Sequence, residues 1–327
     1  MGLTIRPFVP EDYPALAEIT TAVEPEYPET AEHIRHHDET RDPELKFHRF
    51  VAVVDEQVVG LVGCEDYPRG TDRFWFWIEV HPEHQGRGYG SALYSHVVDF
   101  LKPFNPPVLR SESRENRARG RKFLEDRGFV EEMREKESAL KVATFDPTHY
   151  EADMAKVLAQ GIVLKSYAEL RAIAKDVDAL HRELDDLHWA IGLDIPSPDE
   201  NVRRPHSEFL KRFENPLFRP EGNIYAVDGE RVIGGSILWG RPTDTDLNTG
   251  MTGVLREYRK RGIATALKVT ALTFAKQYGA TYVRTQNEEN NTGMLGINIR
   301  LGFEPQPAWL FYVKELHPGA LKTTDTE

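Results

Sequence analysis

Apolar and polar positions follow two periods along the chain, two for strands and three to four for helices, and their order repeats. "LTIRPF" (3–8) reads as a strand, 11–21 as a helix, and a further helical stretch covers about 29–38. Residues 48–66 read as a hairpin turning at Asp55-Glu56, and "RFWFWIEV" (73–80) as an aromatic strand. A glycine-rich stretch, "EHQGRGYGSAL" (83–93), then opens a helix with apolar residues at Leu93, Val97, Phe100 and Leu101, which Pro103 stops. "PVLRSES" is a short strand, "NRARGRKFLEDR" a helix stopped at Gly128, and 129–144 reads as a closing hairpin.

The same order returns downstream. Residues 161–170 open it, and a helical and loop region runs to about Pro220. "IYAVDGERVIGGS" (224–236) repeats the hairpin of "VAVVDEQVVGLVG" (51–63). "EYRKRGIATAL" (257–267) repeats the glycine-rich stretch and opens a helix carrying Ile263, Leu267, Thr270, Ala271 and Phe274, ending near Gly279. "ATYVRTQN" is the next strand, and the last helix ends at Gly302. Gly60 and Gly234, Val80 and Val254, Gly88 and Gly262, and Gly128 and Gly302 are each 174 residues apart. One spacing at four landmarks points to a duplicated domain rather than a solenoid. The division expected is 1–146, a linker helix over 147–160, 161–320, and a flexible tail at 321–327.

Composition narrows the function. With 327 residues, 40% of them apolar, the chain has material for two cores. A net charge of −12 argues against a general binder of nucleic acid or anionic membrane. One cysteine, Cys64, rules out an internal disulfide and fits a reducing cytoplasm. The chain has no long apolar run, and "MGLTIRPF" matches neither a secretory signal nor the myristoylation pattern.

A helix N-terminus presents unpaired N–H groups and partial positive charge, which a phosphate satisfies. Glycines let the backbone turn sharply and let the phosphate approach it. The loop lacks the Gly-Lys-Ser/Thr of triphosphate loops. It also lacks the third glycine and the first-strand position of the dinucleotide fingerprint. It does match Gln/Arg-x-x-Gly-x-Gly/Ala, at Gln85, Gly88 and Gly90 and again at Arg259, Gly262 and Ala264.

On "VHPEHQGRGYGSAL" with "FLEDRGF", and "VLREYRKRGIATAL" with "NNTGMLGINIRLGF", the chain resembles the GNAT superfamily of acyl-CoA-dependent N-acyltransferases, twice over. The resemblance implies an α/β (α+β) fold. Two tandem domains would each have a mixed, mostly antiparallel sheet, flanking helices and a splayed strand pair. It implies acetyl-CoA as co-substrate, a small-molecule primary amine as acceptor attacking the thioester directly, and no metal. No nucleic-acid or membrane partner is expected, and the chain would be a monomer or homodimer. The cofactor would lie on Val80, Gln85, Gly86, Arg87, Gly88, Tyr89, Gly90 and Ser91 in the first copy. In the second it would lie on Val254, Arg259, Lys260, Arg261, Gly262, Ile263, Ala264, Thr265 and Asn291. A backbone N–H near Val80 or Val254 would meet the thioester carbonyl.

Many relatives carry a tyrosine acid where this chain has Leu124 and Asn298. A thiolate leaves tolerably near neutral pH, its pKa being about 8.5, so that departure is compatible with transfer. For a general base the first copy offers Glu79, which is either that base or a solvated strand-end carboxylate. The second copy offers Glu288 and Glu289, with Asn291 beside the expected thioester path. Asn287, Asn290, Asn291 and Asn298 tilt the choice of catalyst to the second copy, although caps and turns account for Asn287 and Asn290 equally. His33 and His37 have a spacing that can bind metal but fit an exposed helix better. Arg114–Arg127 reads as a salt-paired helix face ahead of a contact for the 3′-phosphate of CoA, and Asp194 as a surface-loop acid or an anchor for a cationic amine. Two rivals stay open: an acyl-CoA-binding sensor without catalysis, and one catalytic copy beside one structural copy.

Overall fold

The computed structural model describes residues 2–196 and 201–321. The strands are β1 (Thr4–Pro7), β2 (His48–Val54), β3 (Gln57–Asp66), β4 (Phe74–Val80), β5 (Val108–Arg114), β6 (Val130–Lys141), β7 (Ile162–Ser166), β8 (Ile224–Asp228), β9 (Arg231–Trp239), β10 (Leu247–Val254), β11 (Tyr282–Glu288), β12 (Glu304–Pro305) and β13 (Trp309–Glu315). The helices are α1 (Tyr13–Val23), α2 (Ala31–Thr40), α3 (Tyr89–Leu101), α4 (Ala118–Glu125), α5 (Glu151–Leu158), α6 (Tyr167–Ile173), α7 (Val177–Gly192), α8 (His206–Lys211), α9 (Ile263–Tyr278) and α10 (Thr292–Arg300). Among the described residues no helix is long and apolar enough to cross a membrane.

The chain forms two compact units, 1–133 with 309–327, and 134–308. In the first the strand order is β1-β2-β3-β4-β5-β13, and in the second β6-β11-β10-β9-β8-β7, with the short β12 also on β6. Every neighbouring pair within a unit is antiparallel except β4–β5 and β10–β11. This is the mixed, mostly antiparallel α/β architecture expected of each copy.

The closing strands correct the reading of 129–144 as a hairpin. That stretch is one strand, β6, whose Glu135–Lys141 pairs with β11 of the second unit. The C-terminal β13 pairs with β5 of the first unit over its whole length, from Trp309↔Arg114 to Glu315↔Val108. The first compact unit thus includes β13, and the second begins at Arg134, within β6. β6 (VEEMREKESALK) is charged over most of its length and β13 (WLFYVKE) is apolar over its first five residues, and neither pattern says which edge the strand completes. The stretch 147–160 contains α5. Its Val157 is buried in the core of the second unit together with Ile162, Ile263 and Leu267. Most of the tail at 321–327 lies outside the described residues.

Hydrophobic burial explains the placement of the glycine-loop helices. On α3 the buried residues are Leu93, Val97 and Leu101, one per turn, each worth about 1.5–3 kcal/mol when fully buried. Helix α9 buries nine of its residues, including Ile263, Leu267 and Ala271, because α5 and the sheet cover it from two sides. Gly60 and Gly234 occupy equivalent positions. A Cβ there would stand 2.8 Å from the Glu79 carbonyl and 2.9 Å from the Gly253 carbonyl, so a side chain would force the two strands of each hairpin sheet apart.

Deleting residues 309–327 strips β5 of its antiparallel partner. Hydrogen exchange is expected to show lost protection along β4 and β5, with α9 and β10 keeping theirs; protection retained in β5 would contradict the pairing.

Candidate active sites

Each unit has a parallel strand pair that joins briefly and then opens. Strands β4 and β5 pair only at Phe74↔Leu109 and Trp75↔Arg110, and β10 and β11 only at Leu247↔Val283 and Asn248↔Arg284. Beyond those residues the strands diverge, which leaves backbone groups along the inner edges without ladder partners. The second wedge also has a register shift between Thr249 and Thr252 on β10, whereas β4 runs against β3 in unbroken register.

The glycine loops sit at the open ends of the wedges. Gly88 and Gly262 are the N-caps of α3 and α9, with φ of 87° and 85°, and no side chain caps either helix. That left-handed backbone is strained for any residue with a Cβ. Gly86 has φ 80°, and Lys260, its counterpart, holds the same left-handed turn at 61° despite its side chain. A Cβ at Gly88 would meet nothing within 4 Å, and Gln85, Gly86, Arg87, Gly88 and Ser91 are all exposed, so the first cradle is open. The second is partly covered. Val157 of α5 lies 3.5 Å from where a Cβ would stand on Gly262, and Gln160 both accepts from Arg261 Nε (2.8 Å) and donates to its carbonyl (3.1 Å).

Several residues expected to hold a cofactor brace the loops with their side chains. Gln85 Nε2 donates to the Val80 carbonyl at 3.0 Å, and Arg259 Nε to the Val254 carbonyl at 3.1 Å, tying each loop to the end of its strand. Arg87 donates to the Glu83 carbonyl, and Ser91 Oγ accepts from Arg127 at 2.9 Å. Val80, Val254, Ile263 and Thr265 are buried, with Thr265 Oγ1 accepting from Arg300 at 2.6 Å. Tyr89, Gly90 and Ala264 are half-buried in the first helical turns. Asp194 accepts from Arg256 and Arg259, so it is spent on the second loop's arginines and does not face an amine.

The first unit contains a cavity of about 290 Å³ between α1, α2 and the sheet, lined among others by Thr20, Glu29, His33, Arg49, Trp77 and Glu79. Glu79 and Val80 lie on opposite faces of β4, as strand alternation requires. Thr20 Oγ1 donates to Glu79 Oε2 at 2.6 Å. Burial pushes the Glu79 carboxyl up to about 7; Thr20 opposes that shift, nearby Glu24 adds to it, Arg49 opposes it and Glu29 adds to it. His33 and His37 line this cavity from α2, which buries no residue and leaves His37 exposed. His33 Nδ1 pairs with Glu29 Oε2, and His37 Nδ1 with Arg41 at 3.2 Å. Among the described residues no group of three or more metal-ligating side chains converges. Arg41 bridges Glu65 (2.8 Å) and Asp38 (3.0 Å), and Arg49 also binds Asp38 (2.7 Å). The cavity's arginines are thus paired locally, Glu29 is paired with His33, and Glu79 is held by Thr20.

In the second unit a cavity of about 200 Å³ fills the wedge itself, lined by Thr249–Thr252, Thr285–Glu288, Glu135, Lys268 and Asn291 among others. The asparagines that tilt the sequence reading toward this copy have structural partners. Asn291 Oδ1 caps α10 through the Met294 N–H, Asn290 Nδ2 and N donate to the two oxygens of Glu288, and Asn298 Nδ2 donates to Asn287 Oδ1. Glu288 is buried and braced in that turn. Leu124 and Asn298, which stand in the tyrosine's place, are 4% and 1% exposed, so neither offers a proton donor to a cleft. Lys268 and Glu135 were not singled out in the sequence. The signal for Lys268 is a cation one turn from Ala264 and Leu272 on a face otherwise apolar.

The chain matches the model of the acetyltransferase (GNAT) family twice, over residues 13–129 and 187–303. It is 30% identical over 107 residues to N-alpha-acetyltransferase 30 of Schizosaccharomyces pombe, a match covering 32% of this chain and 71% of that protein. A tandem GNAT protein from the clavulanic acid biosynthesis pathway superposes with a TM-score of 0.74 at 19% identity, over 97% of this chain and 99% of that one. A GCN5-related N-acetyltransferase from Sphaerobacter thermophilus gives a TM-score of 0.70 at 19% identity, over 97% and 96%. With two matched regions, two splayed strand pairs and two glycine-capped helices, the chain belongs to the GNAT acetyltransferase family and carries the family's domain twice.

Proposed function

We propose that the protein is an acetyl-CoA-dependent N-acetyltransferase acting on a small-molecule primary amine in the cytoplasm, and that the first unit is the catalytic one. The observation that carries this reading is Glu79, a carboxylate at the end of the splayed strand, inside a cavity and held by burial near a pKa of about 7. An open cradle and the cavity that holds Glu79, both on one unit, support it.

Acetyl-CoA would supply the acyl group as a thioester. The residues that fit it are the exposed amides from Gly86 to Ser91 at the uncapped start of α3, where positive φ and free space above Gly88 leave room for a diphosphate. Glu79 takes the proton that an amine must lose before its nitrogen can attack directly. Thr20 orients the carboxylate by donating to one oxygen, leaving the other to face the acceptor. Glu29 adds negative charge to the cavity that receives an ammonium. Amides of β4 freed by the divergence from β5 are the donors available to a carbonyl oxygen.

Two measurements test this. Gly88→Val should abolish acetyl-CoA binding to the first unit in calorimetry while circular dichroism stays native, because a β-branched residue disfavours φ 87°. Unchanged affinity would sink the cradle.

Glu79→Gln should lower kcat by about 10²–10⁴-fold against an amine panel. The wild-type rate should rise with pH through about 7, where Glu79 loses its proton, and that limb should vanish in the variant. Acetyl-CoA binding with no thiol release from any amine would instead identify a sensor.

A further inference from the structure

Lys268 is the charged group that the proposed acetyl transfer leaves unused. It lies on α9, is 2% exposed, and lines the wedge cavity of the second unit. Its Nζ has no hydrogen-bond partner among the described residues, and it stands over the Phe303 ring, 5.0 Å from the centroid. A buried cation without an acceptor is costly, so the fold has a reason to keep it neutral or to offer it a ligand. Burial alone holds its amine at about 7, so much of it is uncharged at neutral pH. An uncharged amine is a nucleophile. The equivalent residue in the first unit, 174 positions earlier, is Tyr94, packed among Phe76, Phe123 and Phe129.

The position of that amine matters as much as its state. The cavity begins directly beyond Asn248 and Arg284, where β10 and β11 part, and the cradle at Gly262 lies at the other end of β10. A chain-like ligand anchored at the cradle and laid along β10 ends at this cavity. Glu135 and Glu288 share the cavity, and burial together with Glu288 raises the Glu135 carboxyl. A carboxylate so placed is a local acceptor for the proton of an ammonium.

We propose that Lys268 is an internal acyl acceptor, self-acetylated by an acyl-CoA thioester entering the wedge of the second unit. Its Nζ lone pair forms the new C–N bond to the carbonyl carbon and the C–S bond breaks. CoA leaves as thiolate, the amine's proton ends on the thiol, and the products are an acetamide on Lys268 and free CoA. The buried amine is thereby converted to a neutral group, and the second unit becomes a record of acyl-CoA exposure. This rests on the reading that the chain uses acetyl-CoA, though not on Glu79 as the base.

The test is to incubate the full chain with acetyl-CoA and no amine, then follow intact mass, peptide maps and thiol release. One acetyl group should appear on Lys268, with one CoA released, at least ~10-fold faster than on any exposed lysine, because the wedge raises the effective concentration. Lys268→Met should lose that event and leave slow surface acetylation unchanged. Lys268→Met should also melt higher than wild type below about pH 7, since it lacks the buried ammonium, and the gain should shrink as pH rises from there toward the ordinary lysine value. Lys268→Arg serves as a second, charge-keeping variant. Acetyl groups confined to exposed lysines would overturn the proposal. Calorimetry on Gly88→Val separates the failures. Acetyl-CoA binding with Lys268 unmodified overturns self-acetylation and leaves the acetyltransferase reading standing; no acetyl-CoA binding to the wild-type chain overturns both.

Discussion

A parallel strand pair held at two residues and then released is the constraint on which each unit depends. Strand β4 is fully paired to β3 on one edge, and β5 is fully paired to β13 on its far edge. Neither can follow the other without breaking that ladder, so the wedge between them is enforced from outside. The same holds for β10, tied to β9, and β11, tied to β6. The opening places unpaired backbone groups and a cavity next to the start of a helix whose N–H groups are also free. Recognition of a diphosphate and activation of a carbonyl need those two resources side by side.

The duplicate units keep that backbone and fill it differently. Both have the left-handed cap, at Gly88 and Gly262, and both tie the loop to the strand end, through Gln85 in one and Arg259 in the other. Around the shared frame the side chains diverge. The first unit surrounds Tyr94 with aromatic rings and keeps its titratable carboxylate in a separate cavity toward α1 and α2. The second sets a cation and two carboxylates inside the wedge and packs Val157 of α5 beside its cradle. Backbone geometry is retained because a change at a paired strand or a positive-φ cap disrupts many hydrogen bonds at once. Cavity linings alter one contact at a time.

Charge placement also separates the two cavities. In the first, Asp38 and Glu65 absorb the arginines, Glu29 pairs with His33, and Glu79 accepts from Thr20. In the second, Lys268 has no counterion within hydrogen-bonding distance among the described residues, and Glu288 is engaged by Asn290. A carboxylate raised toward 7 and an amine lowered toward 7 arise from one cause, the removal of water from a charge, acting on groups of opposite sign.

The sequence by itself determined the repeat, the order of strands and helices, the glycine loops and the family, because these depend on local periodicity and on backbone positions that only a few residue types tolerate. It named Glu79 as a candidate base, since a carboxylate at the end of a strand beside a glycine loop is a local pattern. Tertiary structure alone decided which edge each closing strand completes, because β6 and β13 pair with strands far away in the chain. Only tertiary structure turned Asn291 into a helix cap, spent Asp194 on Arg256 and Arg259, and brought His33 and Thr20 to the Glu79 cavity. The physical reason is the same in each case: a side chain's chemistry is set by its partners and by how much water they exclude, and those partners come from distant parts of the chain.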